Sequence, residues 1–250
     1  MSSGYDESCI TLSQEGRIYQ IEYALKAVDG ASTITGLVCA DGVILASEKT
    51  KQSRTIVSNS NPTIYNITKT IGIAICGYLP DGRNIVARAQ QEAKSYAENF
   101  GIPISGKILA DRISAYVHLH TLYWFYRPFG SVVMVSSYEK DTPHLYMIEN
   151  DGNCFEYYSC SHGKGRQYVK NDVEKGNSEI RKKVCAIAVK DLLKILVKSY
   201  DGEKDTEYDI SVISKDSQGK HMLLPKEILN DLVTKVKNEV TEERRNQIDS

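Results

Sequence analysis

Two histidines, His118 and His120, stand close enough in the sequence to raise the question of a metal site. The apolar residues around them, Leu109, Ile113 and Val117 among them, recur at helical spacing. Successive positions of a helix are rotated by about 100°, so the two rings point about 200° apart and cannot bind the same ion. Histidines in a core or at an interface are the better interpretation.

The six cysteines, at positions 9, 39, 76, 154, 160 and 185, include no Cys-x-x-Cys pair. Paired cysteines are the usual mark of a zinc site, and a disulfide framework is unusual in a chain of 250 residues. Cys39 and Cys76 lie in apolar runs that predict strands, where a small reduced thiol packs well. We expect buried free thiols, with neither a metal nor a cofactor.

Three further motifs could carry chemistry but fit plainer roles. Residues 163–166, Gly-Lys-Gly-Arg, resemble a phosphate-binding loop but lack its Gly-Lys-Ser/Thr ending, so a loop entering a helix is favoured. Residues 181–183, Arg-Lys-Lys, could be a nuclear-import patch, yet acidic residues flank them and favour a solvated helix face. Glu207 and Asp209 offer no acid–base pair that the sequence supports, and we expect solvated strand ends.

Composition excludes several classes of partner. The net charge is -1 and the pI is about 6.5, which gives no electrostatic reason to expect a nucleic-acid or membrane-surface partner. No apolar run approaches the roughly 20 residues that span a bilayer. Residues 1–7 lack a basic region followed by an apolar core, so they do not predict a secretory signal. We expect a protein of the cytoplasm and nucleus.

The elements that must position any site begin with a helix. Ile18, Ile21, Leu25 and Val28 recur at helical spacing, and Gly30 is a plausible stop. Two strands follow, joined by an Asp-Gly pair at 41–42 that predicts a hairpin. Further strands are predicted at 63–67, 71–76, 131–138, 144–149, 154–160, 207–214 and 221–224. Further helices are predicted from about Asp81, over 109–120, from about Lys164, from a Ser178 cap and from Pro225.

Strands joined as hairpins and separated by helix pairs indicate antiparallel sheets covered by helices. Residues 71–75 are almost continuously apolar, which indicates a sheet that is buried on both faces. We therefore predict a single domain over residues 1–250, of the α+β class. Its architecture is a four-layer αββα sandwich, in which two stacked antiparallel sheets are flanked by helices.

Residues 13–24, Ser-Gln-Glu-Gly-Arg-Ile-Tyr-Gln-Ile-Glu-Tyr-Ala, resemble the N-terminal signature of proteasome alpha-type subunits. A Tyr-Asp pair stands upstream at residues 5–6, as it does in that family. The likeness continues through turns and hairpins at 36, 41–43, 77–83 and 127–130. Within the family, the segments most similar to the subunit that occupies the seventh position of the eukaryotic ring are 116–118, 121–123 and 145–148.

The resemblance implies the sandwich fold of N-terminal-nucleophile hydrolases. Residues 1–31 would form a gate tail and an alpha-specific helix, and residues 32–250 the sandwich. It implies a heptameric ring of alpha subunits above a beta ring that holds threonine active sites. The implied partners are the other alpha subunits, the beta-ring subunits, and a regulatory particle or other activators, with no nucleic acid and no membrane.

The same resemblance implies no catalytic residue but three degenerate active-site positions, Ser32, Glu48 and Thr63. An N-terminal nucleophile uses its own free α-amine as the base. Ser32 follows 31 residues, so its nitrogen would be an amide. Glu48 keeps the acidic position, whereas Thr63 replaces the lysine of catalytic subunits. In alpha subunits a lysine at that position also pairs with activator C-termini, so this chain should contribute poorly to such a pocket.

The resemblance assigns a gate to Tyr5, Asp6, Gln14 and Tyr23. Hydroxyls and a carboxylate suit contacts between neighbouring tails that are charge-assisted yet exposed enough to break. Gln14 stands where the signature usually has a turn proline, which predicts a softer turn and puts its part in the gate in question. A passive, disordered terminus is the alternative.

A ring interface is expected at Arg17, Ile18, Ile21 and Leu25, because the apolar stripe should be exposed on an isolated chain. Trp124 lies in an aromatic run, and it suits an interface or core packing equally well.

The function predicted from these features is that of a non-catalytic structural and gating subunit. It would control substrate entry and activator docking in ubiquitin-linked protein degradation. The alternative is a catalytic N-terminal-nucleophile hydrolase matured before Ser32 or Thr33. A free-standing binding protein that uses the same fold is a third, weaker hypothesis.

Overall fold

The computed structural model describes residues 4–50, 53, 55–57, 60–199 and 206–248. The helices in these residues are α1 (Tyr19–Asp29), α2 (Leu79–Phe100), α3 (Gly106–Leu122), α4 (Arg166–Ile180), α5 (Cys185–Ser199) and α6 (Lys226–Ile248). The strands are β1 (Ile34–Val38), β2 (Gly42–Thr50), β3 (Ile64–Asn66), β4 (Ile71–Gly77), β5 (Ser131–Glu139), β6 (Thr142–Ile148), β7 (Cys154–Glu156), β8 (Ser159–His162), β9 (Thr206–Ser214) and β10 (Met222–Leu223).

The strands form two five-stranded antiparallel sheets. One has the order β10-β9-β2-β1-β8 and the other the order β3-β4-β5-β6-β7. The predicted single strand over 154–160 is wrong, because it is two short strands in different sheets. Its first part, β7, pairs with β6, and its second part, β8, pairs with β1.

Three hydrophobic cores separate four layers. The inner core lies between the sheets and contains residues of both, such as Leu45 of β2 and Met134 of β5. One outer core packs α4, α5 and α6 on the first sheet, and the other packs α2 and α3 on the second. The predicted four-layer αββα sandwich is confirmed.

Strand alternation explains why the strands are apolar on both faces. In β2, Val43 and Leu45 point into the inner core, and Ile44 and Ala46 point into the outer core. Successive strand residues face opposite sides of a sheet, so a sheet that is covered on both sides needs apolar residues at nearly every position. No helix among the described residues is long and apolar enough to span a membrane.

The start of α5 differs from the prediction. Residue 178 lies inside α4, so it does not cap a helix, and α5 begins at Cys185. The Asp41 carboxylate, from the hairpin between β1 and β2, accepts a hydrogen bond of 2.7 Å from the Cys185 backbone N–H. A carboxylate at a helix start satisfies one of its free N–H groups, and here the carboxylate comes from a distant segment.

We predict that Gly72→Ala destabilises the fold by about 1–3 kcal/mol through overpacking. A methyl group on Gly72 would lie 2.1 Å from Nε2 of His221, whose buried ring occupies the space beside β4. Urea unfolding of the purified chain measures the loss. Gly30→Ala is the control, because its methyl would meet only the Lys26 carbonyl oxygen at 3.6 Å. Equal unfolding midpoints for the two variants would contradict the prediction.

Candidate functional site: the tail, the first helix and the cleft behind it

Helix α1 lies against strands β4 and β5 and closes part of the inner core. Val28 is fully buried in that core, and Leu25 packs against it. Asn150, from the loop after β6, donates a hydrogen bond of 2.8 Å to the Ile21 carbonyl oxygen. The helix ends as expected at Gly30, whose N–H donates to the Lys26 carbonyl. Packing and hydrogen bonds therefore fix α1 on the sandwich.

The segment before α1 is a closed turn around Gln14. The Ser13 N–H donates to the Arg17 carbonyl at 2.9 Å, and Ser13 Oγ accepts from the Arg17 N–H at 3.1 Å. Gly16 donates to the Ser13 carbonyl at 2.9 Å and has a φ of 74°, which glycine adopts without strain. Three hydrogen bonds and a glycine thus shape the turn without the proline that the family signature carries.

Arg17 is engaged within its own chain. Its guanidinium Nε donates to Oε1 of Glu22 at 2.7 Å, a second nitrogen pairs with Oε2, and the group lies 5.3 Å from the centre of the Tyr19 ring. These bonds raise the pKa of Arg17 and lower that of Glu22. Tyr23 stacks on Tyr19 at 6.3 Å, and the Lys26 ammonium lies 5.3 Å from the Tyr23 ring. Arg17, which was expected at the interface with a neighbouring subunit, is therefore already paired with Glu22.

The tail folds back onto the body of the protein. Gln20 donates to the carbonyl oxygen of Asp6, and the Cys9 thiol donates to the carbonyls of Tyr123 and Tyr126 at 3.3 and 3.5 Å. Tyr5 is half-buried. The Asp6 carboxylate atom Oδ1 is buried and has no hydrogen-bond partner among the described residues. The tail therefore presents an acceptor that the isolated chain does not satisfy.

The interface residues expected on α1 are less exposed than predicted. Ile18, Ile21 and Leu25 are half-buried, and Leu25 also packs against the inner core, so the interface at these residues stays a prediction. Tyr23 is exposed. Trp124 is 77% exposed, so core packing is wrong for this residue and its interface alternative is favoured.

Ser32 lies in the linker between α1 and β1. Its side chain is exposed, and its carbonyl oxygen accepts a hydrogen bond from the Cys76 thiol at 3.2 Å. The preceding residue, Ala31, has its carbonyl bonded to the Lys164 N–H at 2.9 Å. The next residue, Thr33, is buried, and its Oγ1 accepts from the Gly165 N–H at 3.0 Å. The residues on either side of Ser32 are therefore both hydrogen-bonded to the loop after β8, and Ser32 lies within a continuous chain.

Glu48 is the acidic group behind this linker. It is 4% exposed, and burial raises its pKa to about 7, against the opposing effects of the Lys164 charge and a hydrogen bond with Thr33. Sequence reasoning assigned Lys164 only to a loop entering a helix. Lys164 is 116 positions away from Glu48, so no local spacing could have connected the two residues.

Thr63 faces a different charge cluster. Its buried Oγ1 donates to Asp209 Oδ2 at 3.3 Å, and Asp209 also pairs with the ammonium groups of Lys49 at 2.5 Å and Lys226 at 2.9 Å. Burial alone raises the pKa of Asp209, but the hydrogen bonds from both lysines outweigh it and lower that pKa. The expected solvated strand end is therefore wrong for Asp209, which is 8% exposed. Two lysines lie close to Thr63, and both are paired with the single carboxylate of Asp209.

No group of three or more metal-binding side chains occurs in the part of the chain that the structure describes. His118 Nδ1 lies 3.0 Å from the Asp151 carbonyl, and His120 Nδ1 lies 3.0 Å from the Tyr116 carbonyl. Each ring thus has its own backbone partner.

Comparison with known proteins identifies the family. Residues 28–213 match the family described as proteasome subunit, and residues 5–27 match the N-terminal signature of proteasome A-type subunits. The chain belongs to the proteasome alpha-type subunit family. It is 39% identical to the alpha type-3 proteasome subunit of Arabidopsis thaliana over 97% of each chain. It is also 41% identical to the alpha type-3 subunit of Oryza sativa subsp. japonica over 92% of each chain, and 41% identical to the probable alpha type-7 subunit of Schizosaccharomyces pombe, with 92% of this chain and 91% of that protein covered.

The match confirms the resemblance that residues 13–24 carry and the fold that it implied. An alpha-type subunit is a non-catalytic member of the outer ring of the proteasome, so the alternative of a catalytic hydrolase matured before Ser32 or Thr33 is not favoured. The signature ends at residue 27, and the match to the proteasome subunit family begins at residue 28. This alpha-type subunit is therefore matched from its tail through most of its sandwich.

We predict that Glu48→Gln flattens the pH dependence of stability. The folded pKa of Glu48 is raised from 4.5 to about 7, so its contribution is fully present below pH 4.5 and is lost as the pH rises to about 7. The variant should match the parent near pH 4.5 and exceed its free energy of unfolding by about 2–3 kcal/mol at pH 8. Urea unfolding between pH 4.5 and 8 measures the difference.

Glu22→Gln is the control for Glu48→Gln. Its hydrogen bond with Arg17 lowers the Glu22 pKa, so the stability it contributes is lost as the pH falls, which is the opposite direction. Parallel profiles for the parent and Glu48→Gln would show that Glu48 does not titrate with a raised pKa.

Proposed function

We propose that the chain is a structural and gating subunit in the seventh position of the alpha ring of the proteasome core particle. In this role it controls substrate entry and activator docking in ubiquitin-linked protein degradation. Relatives named alpha type-3 and alpha type-7 support the position. The particle works in the cytoplasm and the nucleus, and the chain needs no cofactor.

The burial of Val28 is the observation that carries the proposal. An N-terminal nucleophile at Ser32 would need a free amine, which only removal of the preceding residues could supply. That removal would take Val28 and Leu25 out of the inner core. Losing large buried side chains typically costs several kcal/mol, so the fold favours retention of α1 over maturation. The chain is therefore inactive as a peptidase within a threonine-type endopeptidase complex.

The geometry of the tail supports gating by Tyr5, Asp6, Gln14 and Tyr23. The tail emerges from the closed turn around Gln14 and lies close to α1 through the Gln20 contact with Asp6. The Asp6 carboxylate atom Oδ1 is buried without a partner among the described residues, so a tail that left this position would free it to accept a hydrogen bond from a hydroxyl of a neighbouring tail. Such a charge-assisted bond is strong enough to hold an open gate and can still be broken.

The ring supplies the partners. Other alpha subunits flank the chain, the beta ring lies beneath it, and a regulatory particle or another activator docks on the outer face. The two lysines beside Thr63 already share Asp209 as a carboxylate partner, which supports a weak contribution of this chain to binding an activator C-terminus.

We predict that the purified chain hydrolyses no fluorogenic peptide and that its intact mass includes the residues before Ser32. Ser32→Ala should leave the background rate unchanged, because the Ser32 nitrogen is an amide and cannot serve as the base. Thr33→Ala is a second test, since the alternative maturation site begins there. Activity that disappears in either variant, in a preparation free of other subunits, would overturn the proposal.

We predict that removing the residues before Ser13 leaves reconstituted particles assembled and partly raises basal hydrolysis of small peptides. Assembly should survive because α1 and the sandwich remain. The rise should be partial, because six other tails of a heptameric ring still obstruct the pore. Native mass spectrometry and basal peptide turnover measure the two effects. Disassembly would show that the tail is an assembly element, and unchanged turnover that it is a passive terminus.

Asp6→Ala should act differently from the deletion. It removes an acceptor of the open gate, so activator-stimulated turnover should fall by about three- to tenfold while basal turnover stays low. Glu7→Ala is the matched control, since Glu7 is an exposed neighbouring carboxylate. An equal effect of the two variants would point to the net charge of the tail and would remove the specific role of Asp6.

A further inference from the structure

The linker between α1 and β1 is contacted by the loop that follows β8, the strand that pairs with β1. We call residues 163–166, which connect β8 to α4, the latch. The Lys164 N–H donates to the Ala31 carbonyl at 2.9 Å, and the Gly165 N–H donates to Thr33 Oγ1 at 3.0 Å. The Arg166 guanidinium pairs with the Asp29 carboxylate at the end of α1.

The backbone of the latch lies so close to the linker that there is no space for a side chain at Gly163 or Gly165. Gly163 has a φ of 105°, and a methyl group on it would lie 2.6 Å from the Ser32 carbonyl oxygen. A methyl group on Gly165 would lie 2.8 Å from Thr33 Oγ1. The glycines that resembled a phosphate loop are thus explained by a backbone that packs on the linker after α1.

Arg166 has a second carboxylate within electrostatic reach. A cavity of about 470 Å³ beside the latch is lined by Arg166, Glu149 and His162. Burial and Asp151 raise the pKa of Glu149, and the Arg166 charge opposes that rise. His162 is 5% exposed, and its Nδ1 has no partner among the described residues, so the cavity is polar on this side. The Arg166 side chain therefore has a second place to go, because the cavity gives it space and Glu149 gives it a carboxylate other than Asp29.

We propose that Arg166 is a positioning residue for the gate, holding α1 through Asp29 in one arrangement and releasing it towards Glu149 in the other. The Arg166–Asp29 pair is about 40% exposed on each side, so it adds little to folding but can be made and broken at low cost. This inference rests on the gating function proposed above. No group at the degenerate active-site positions has to react.

The leverage of the pair comes from its place at the end of α1. The helix spans 11 residues, which is about 16 Å. A rotation of about 10° around the middle of the helix would separate the pair and move each end of α1 by about 1.4 Å, enough to break the hydrogen bonds of the tail. Val28, Leu25 and the Asn150 bond also restrain α1, so loss of the pair should loosen the helix without detaching it.

The test uses reconstituted core particles that contain variants of this chain. Hydrogen–deuterium exchange over residues 19–33 reports the latch, and basal peptide hydrolysis reports the gate. Asp29→Asn and Arg166→Gln should each speed exchange by about two- to fivefold, as expected for loss of a half-exposed ion pair. The exchanged pair, Asp29→Arg with Arg166→Asp, should return exchange to within about twofold of the parent.

The Glu149→Gln variant distinguishes loss of the Arg166–Asp29 contact from a general effect of removing a negative charge near Arg166. It removes the competing carboxylate, so exchange over residues 19–33 should slow, opposite to the effect of Asp29→Asn. Should Asp29→Asn or Arg166→Gln prevent assembly, Glu149→Gln still decides. Unchanged exchange in all single variants, a failed rescue, or the same direction for Glu149→Gln and Asp29→Asn would each overturn the proposal. Altered exchange with unaltered hydrolysis would support the latch and count against the gating function.

Discussion

The burial of Val28 between the two sheets is the contact on which the rest of the molecule depends. Both sheets are apolar on both faces, so the space between them must be closed, and α1 closes part of it with Val28 and Leu25. The cover is part of the chain, and cutting before Ser32 would open the core. The same contact fixes the helix that carries the tail. Retention of the residues before Ser32 and the fixed position of α1 therefore share one physical cause.

Two buried carboxylates on the paired strands β9 and β2, Asp209 and Glu48, have pKa values shifted in opposite directions. Asp209 lies opposite Ser47 in β2, and two lysines and a threonine hydroxyl keep its charged form favoured. Glu48, the next residue along β2, faces the other side of the sheet, where burial dominates and favours the neutral form. A neighbouring cation is one means of lowering the pKa of a nucleophile. Here Lys49 and Lys226 pair with Asp209, and at Glu48 the Lys164 charge does not outweigh burial.

Local patterns predicted the elements, and long-range contacts decided the site. The helical spacing of apolar residues predicted α1 and its end at Gly30. The continuous apolar runs predicted sheets that are buried on both faces. The Asp41 cap of α5 and the Lys164 charge near Glu48 depend on residues more than 100 positions apart, so no window of sequence contains them. The run over 154–160 looked like one strand because propensity does not record that the chain changes sheets there. The family signature supplied the gate and degenerate positions, which no periodicity could have shown.

The exposed aromatic segment, residues 123–126, also anchors the tail. Trp124 and Phe125 are large aromatic side chains that lie mostly exposed next to each other, as is typical of a surface that a partner covers. The carbonyls of Tyr123 and Tyr126 accept hydrogen bonds from Cys9, so the tail is anchored to this same segment. A partner that covered the aromatic segment would therefore also lie against the anchor of the tail. Two contacts already hold the tail within the chain, from Cys9 to this segment and from Gln20 to Asp6, so such a partner would bear on a tail whose base is in place.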